Sequence, residues 1–142
     1  YYLDTRSNTS ADCYSNLLCQ PSNDIYYSVQ VGGYGKLKIS QCGSTLSDTY
    51  LHRLTSTGTI MSSVDDNGPL CTGYKASMQF DATAGTYYFM SEGYGSSTGE
   101  IQTIVGLDAT TALGSTYNNP INIGVLNPCT PYGDYKNFYG YN

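Results

Sequence analysis

Short segments of alternating apolar and polar residues recur along this chain, and no stretch repeats apolar residues at helical spacing. In residues 24–31, for example, Ile25, Tyr27, Val29 and Val31 fall on one face. The other segments of this type are residues 36–40, 50–54, 59–61, 76–80, 86–90 and 99–105. Turn residues separate them at intervals typical of all-β domains. The pattern predicts an all-β fold, a jelly-roll or Ig-like antiparallel β-sandwich.

The composition excludes several classes of function. Charged residues make up only 12% of the 142 residues, against about 25% in an average globular domain. The net charge of −5 argues against nucleic acid and anionic lipid surfaces as partners. No apolar stretch reaches the ~20 residues of a membrane-spanning helix. Five cysteines suit an oxidising compartment, so we expect a secreted, extracellular or cell-surface protein without a membrane span.

Catalytic motifs are absent from the sequence. His52 is the only histidine, it lies in a strand segment, and no G-x-S-x-G elbow accompanies it. Glu92 and Glu100 suggest a glycosidase pair, but nothing in the sequence supplies a surrounding cleft. We therefore predict no catalytic residues, a structural or surface role for His52, and a protein that is not an enzyme.

Several motifs follow one another in an order that resembles a known family. They occupy residues 24–27, 39–44, 47–52, 65–71, 84–88 and 92–96. The ordered set, which spans roughly residues 4–105, is similar to the bacterial pre-peptidase C-terminal (PPC-like) domain, in the form repeated in secreted proteins of Bacteroidetes-like bacteria. The resemblance implies a secreted, non-catalytic jelly-roll sandwich that is appended to enzymes or adhesins.

The resemblance also implies a disulfide bond between Cys42 and Cys71. Cys13 and Cys19 are close enough in sequence for a local bridge, which leaves Cys129 for a bond to a neighbouring subunit. A pairing of Cys129 with Cys13 or with Cys19 is the alternative.

Two further sites rest on short motifs. Asp48, Asp65 and Asp66 lie at predicted strand ends, and their oxygens suit Ca²⁺, the one cofactor that the sequence suggests. The run from Asp65 to Gly68 resembles the start of a calcium loop but lacks the later ligands, and carboxylates that cap turns are the alternative. Asn8 begins an N-glycosylation acceptor motif.

The two ends of the chain share a Tyr-x-Asp-x-basic motif, which begins at Tyr2 and again at Tyr132. In the family, an Asn-Pro-Ile-x-Ile-Gly-x-Leu strand precedes this motif, whereas here the matching strand is residues 119–126. The strand then folds back onto its own chain, completes a neighbouring subunit, or marks one unit of a longer tandem protein. We divide the chain into a PPC-like sandwich (1–106), a linker (107–118), and a donor strand with a Tyr-rich tail (119–142).

These features predict a structural subunit of an extracellular filament or surface array, in which identical subunits assemble by β-strand complementation. The donor strand would complete the sandwich of the next subunit and the tail would clamp the joint, through Ile121, Ile123, Val125, Leu126, Tyr132, Tyr135, Phe138 and Tyr139. The alternative is a carbohydrate-binding or targeting module of a secreted enzyme or adhesin, with glycans stacked on some of the 16 tyrosines.

Overall fold

The computed structural model describes residues 1–9 and 18–108. All regular structure in this part of the chain is β-strand. The strands are β1 (Tyr2–Ser7), β2 (Ile25–Val31), β3 (Gly35–Ser40), β4 (Thr49–Leu54), β5 (Ile60–Val64), β6 (Ser77–Ala82), β7 (Gly85–Gly93) and β8 (Glu100–Asp108). No helix among the described residues is long and apolar enough to cross a membrane.

The strands form two four-stranded antiparallel sheets, in the orders β1-β8-β3-β6 and β2-β7-β4-β5. The predicted all-β sandwich is therefore confirmed. All seven predicted strands are present, and β1 is an additional strand. It lacks an apolar face, because only Asp4 and Ser7 are even half-buried, and this explains why alternation of apolar residues does not reveal it.

The core lies between the two sheets. Leu37 and Ile39 of β3 face it from one sheet, and Leu51 of β4 and Phe89 of β7 face it from the other. A smaller cluster of Ile25, Leu46 and Ile101 extends the core toward the end of the sandwich where β4 begins. Because strand residues alternate between faces, His52 and Met90 point away from the other sheet, and yet both are fully buried.

At one edge of the sandwich, β1 pairs with β8 along its whole length. Tyr27 of β2, in the other sheet, reaches across and donates a hydrogen bond to Asp4 Oδ2 (3.1 Å). Tyr27 and Val29 are only half-buried there. The predicted strand donation requires an open position in the sandwich, and β1 of the same chain occupies the position beside β8.

The chain divides into a first unit, Tyr1–Thr110, and a second, Thr111–Asn142. The predicted donor strand and tail, and with them every residue named above for the subunit interface, lie outside the described residues. The strand donation and the domain boundaries stay predictions.

Candidate functional site

The three aspartates that the sequence analysis singled out lie together at one end of the sandwich. Asp48 immediately precedes β4, and Asp65 and Asp66 follow β5. Since Leu51 is paired with Val64 in the β4–β5 hairpin, the start of one strand lies beside the end of the other. One carboxylate oxygen from each aspartate lies within 4.8 Å of the others. We call this group the acidic cluster.

Burial and mutual repulsion disfavour the charged forms of Asp48 and Asp65 in the acidic cluster. Burial raises the pKa of Asp48, the charge of Asp66 adds to that rise, and Lys75 opposes it. Burial also raises the pKa of Asp65, with further contributions from Asp66 and Asp48. In the part of the chain that the structure describes, the Oδ1 atoms of Asp48 and Asp65 have no hydrogen-bond partner. A cation is one partner that would satisfy such oxygens.

Turn capping, the alternative role for these carboxylates, belongs instead to Asn67. Its Oδ1 accepts a hydrogen bond from Gly73 N (3.1 Å), and its own backbone N donates to Gly73 O (2.9 Å). Asn67 has a φ of 50°, a left-handed conformation that Asn tolerates. The loop is thus closed without the carboxylates of the acidic cluster.

Two exposed tyrosines flank the acidic cluster. Tyr94 N donates to Asp48 O (3.2 Å), and Thr49 N donates to Tyr74 O (3.0 Å), so the backbones of both tyrosines are fixed beside Asp48 and Thr49. The side chains remain accessible, with 65% of Tyr74 and 47% of Tyr94 exposed. This end of the sandwich therefore offers negative charge and aromatic surface to solvent together.

A second polar group lies close by and is centred on His52. Its Nε2 contacts Glu92 Oε1 and its Nδ1 contacts Ser63 Oγ, both at 2.7 Å. The side chains of His52 and Glu92 are 0% exposed. Residues 18–22 run alongside β7, where Gln20 N donates to Glu92 Oε2 (3.2 Å) and Ser22 Oγ donates to Gly93 O (2.7 Å).

Cys19 Sγ joins this group, within 4.8 Å of the ligand atoms of His52 and Glu92. The arrangement is unsuited to a catalytic cysteine, because partial desolvation of the sulfur and then the charge of Glu92 raise the pKa of the thiol. His52 Nε2 is also engaged with Glu92 and inaccessible to a substrate. Glu100 is exposed whereas Glu92 is buried against His52, so the two glutamates do not form a glycosidase pair.

The predicted disulfide between Cys42 and Cys71 is confirmed. It joins the segment after β3 to the segment before β6, where Ser40 is paired with Ser77. Cys19 is a free, exposed thiol among the described residues, and its predicted bridge to Cys13 stays a prediction. Its sulfur lies beside His52 and Glu92. Cys13 and Cys129 lie outside the described residues.

The burial of Asn8 argues against its predicted glycosylation in the folded chain. Asn8 is fully buried, its Nδ2 donates to Ser97 O (3.1 Å), and its Oδ1 accepts from Gly99 N (2.8 Å). A glycan attached to Nδ2 would have no room beside this fully buried amide.

The meeting of Glu92 and Cys19 at His52 was not predicted from the sequence. One signal in the sequence was Glu92 itself, which follows Phe89, Met90 and Ser91 in a strand segment. A carboxylate in a buried strand is rarely unpaired, so it indicates a partner nearby.

Comparison with known proteins supports the fold assignment. No protein-family model and no curated protein sequence matches the chain. Among solved structures, the pre-peptidase C-terminal domain of a collagenase from Bacillus anthracis is similar, with a TM-score of 0.53 and 15% sequence identity over 74% of this chain and 88% of that domain. At this identity the likeness establishes the fold. The described part of the chain has the β-sandwich fold of a pre-peptidase C-terminal domain.

Proposed function

We propose that this chain is a non-catalytic binding module of an extracellular protein, and that its acidic cluster binds Ca²⁺ beside a carbohydrate-binding surface. The main support is that three carboxylates lie together near the exposed Tyr74 and Tyr94. Two of these carboxylates have an oxygen without a hydrogen-bond partner. The shared fold of a collagenase domain supports an accessory role in a secreted enzyme or adhesin. The Cys42–Cys71 disulfide supports an oxidising location.

The chemistry of the acidic cluster fits a hard cation. Ca²⁺ takes 6–8 oxygen ligands at about 2.3–2.6 Å, so three aspartates leave positions for water or sugar hydroxyls. Bound Ca²⁺ would also cancel the repulsion that contributes to the raised pKa values of Asp48 and Asp65. The exposed tyrosines offer apolar ring faces against which the C–H face of a sugar packs.

Thermal unfolding tests the cation half of this proposal. Ca²⁺ should raise the Tm of the wild-type chain relative to chelator, and Asp65→Asn should abolish that rise. An equal Tm in calcium and in chelator would exclude the cation site.

Polysaccharide pull-down in calcium and in chelator tests the other half. Chelator and Asp65→Asn should each remove binding, and Tyr94→Ala should weaken it. Tyr34→Ala is the matched control, because Tyr34 is 56% exposed and follows Val31, which pairs with Gly85 at the opposite end of β7. Equal losses for the two tyrosine variants, or no binding by the wild-type chain, would rule out a sugar surface at Tyr94.

A second candidate function is assembly by strand complementation into an extracellular filament or array of identical subunits. The observation that favours it is the edge strand β1, which pairs only with β8 among the described residues and exposes 60% of Tyr2 and 58% of Leu3. An added strand would satisfy the open backbone edge and cover the half-buried Tyr27 and Val29. Residues 119–126 supply Ile121, Ile123 and Val125, whose burial is worth on the order of 5–8 kcal/mol before entropic costs.

Electron microscopy and size-exclusion chromatography distinguish this candidate from the first. The full chain should form filaments, and deletion of residues 119–142 should give soluble monomers. Ile123→Asp should block assembly, whereas Asn127→Asp, outside the donor strand, should not. Filaments formed by the truncated chain, or a monomeric full chain, would contradict strand donation.

A further inference from the structure

The buried group around His52 has the composition of a transition-metal site and is separate from the acidic cluster. Its three potential ligand atoms are a thiol sulfur from Cys19, an imidazole nitrogen from His52 and a carboxylate oxygen from Glu92, all within 4.8 Å of one another. We propose that these three residues bind a dication of the zinc type, with a fourth coordination position open to solvent.

The ligand types favour this class of metal. Sulfur and nitrogen donors suit Zn²⁺ and other late first-row ions, whereas Ca²⁺ takes oxygen ligands only. A thiolate and a carboxylate carry two negative charges, which balance a dication and leave the occupied site neutral. On binding, the thiol proton leaves for solvent, and the proton on His52 Nε2 moves to Nδ1, where Ser63 Oγ accepts a hydrogen bond from it, so that Nε2 binds the metal while the imidazole keeps its charge.

The geometry requires only small movements. Metal–ligand distances of about 2.0–2.3 Å place tetrahedral ligand atoms about 3.3–3.8 Å apart. His52 Nε2 and Glu92 Oε1 are now 2.7 Å apart and would separate slightly, while Cys19 Sγ would approach. Cys19 lies in the segment after the undescribed residues 10–17, and its side chain is exposed, so it lies on the solvent side of the site.

The surrounding hydrogen bonds already orient the ligands. Ser63 Oγ contacts His52 Nδ1 at 2.7 Å and thereby directs Nε2 toward Glu92. Gln20 N holds the second carboxylate oxygen, Oε2, at 3.2 Å, which leaves Oε1 for the metal. Outer hydrogen bonds of this kind typically accompany protein metal ligands. The Tyr50 ring packs edge-on against the imidazole, with 4.3 Å between ring centroids, and forms one wall of the site.

Cobalt spectroscopy of the full chain tests the proposal. Co²⁺ is titrated without oxygen or reductant into the metal-free protein, and the absorption spectrum is recorded. We expect one equivalent of Co²⁺ to produce a sulfur-to-cobalt charge-transfer band in the near ultraviolet with intense visible bands of tetrahedral cobalt. Zn²⁺ should then displace the cobalt and abolish both signals.

Two variants show whether the cobalt signal comes from this site rather than from another thiol or from the acidic cluster. Cys19→Ser should remove the charge-transfer band and weaken Co²⁺ binding by at least about tenfold. Because Cys19 is exposed, this variant keeps the fold. Asp65→Asn is the matched control and should retain the wild-type spectrum, whether or not the acidic cluster binds Ca²⁺.

Any of three results would contradict the proposed metal site. The wild-type spectrum could lack the charge-transfer band, or the band could persist in Cys19→Ser. Non-reducing peptide mapping could also find Cys19 in a disulfide bond.

Discussion

Asn8 is a structural residue that fastens the end of β1 to the segment before β8. Besides its two side-chain hydrogen bonds, its backbone N donates to Gly99 O (3.1 Å). The side chain is fully buried, so no water replaces these partners. A position that the sequence motif marks for modification thus serves to hold an edge strand in place.

We expect Asn8→Ala to lower the free energy of unfolding by about 2–4 kcal/mol, because Ser97 O and Gly99 N would lose their partners. Urea unfolding measures the change. Ser10→Ala removes the same acceptor motif without touching the Asn8 amide, and it should leave stability unchanged. Equal effects of the two variants would contradict the structural role of Asn8.

Short motifs indicated which residues lie at strand ends, but they did not indicate which residues are buried or which side chains they contact. The proximity of Asp48, Asp65 and Asp66 follows from their positions at predicted strand ends, and it was foreseen. The pairing of His52 with Glu92 was not, because these residues are separated by 40 positions and meet only through the register of β4 with β7. Three letters such as Asn8-Thr9-Ser10 likewise carry no information on burial.

At the scale of elements, strands with an apolar face were predictable and the strand without one was not. β3 shows the alternation in full, with Leu37 and Ile39 buried and both lysines outside the core. β1 owes its place to backbone pairing with β8, a long-range interaction that leaves little trace in local sequence. The missed strand is also the edge on which the assembly hypothesis depends.

The Cys42–Cys71 disulfide stabilises the pairing of β3 with β6. Its sequence separation is 29 residues, so the chain-entropy model gives a stabilisation of about 3–4 kcal/mol. We expect Cys42→Ala/Cys71→Ala to lower the free energy of unfolding by about that amount in urea. Cys19→Ser, which removes a free thiol, should not change it in metal-free buffer. A double variant as stable as the wild-type chain would show that the cross-link is dispensable.

At the scale of the whole molecule, the acidic cluster makes stability depend on pH. The pKa values of Asp48 and Asp65 are raised above their ordinary value of 3.8 in the folded state. The folded state therefore binds these protons more tightly than the unfolded state. Their contribution to stability falls as pH rises from 3.8 through the raised pKa values, and the full cost is present at neutral pH.

In chelator at neutral pH, we expect Asp65→Asn to be more stable than the wild-type chain by up to about 0.5 kcal/mol, since the carboxylate is partly solvated. The advantage should vanish below the ordinary carboxyl pKa, where the wild-type residue is protonated. Unfolding at several pH values measures it. A variant that is less stable at neutral pH would contradict the repulsion, and a reversal of the order in calcium would support the cation site.

The pairing of β1 with β8 sets the order in which the sandwich is completed during synthesis. Among the described strands, β1 pairs only with β8, so this pairing waits until Glu100–Asp108 have emerged, about 5–20 s later at ordinary elongation rates. The cross-linked cysteines are already available in that interval. During this interval, the charged side chains of Asp4 and Arg6 disfavour aggregation of the unpaired β1 segment with other nascent chains.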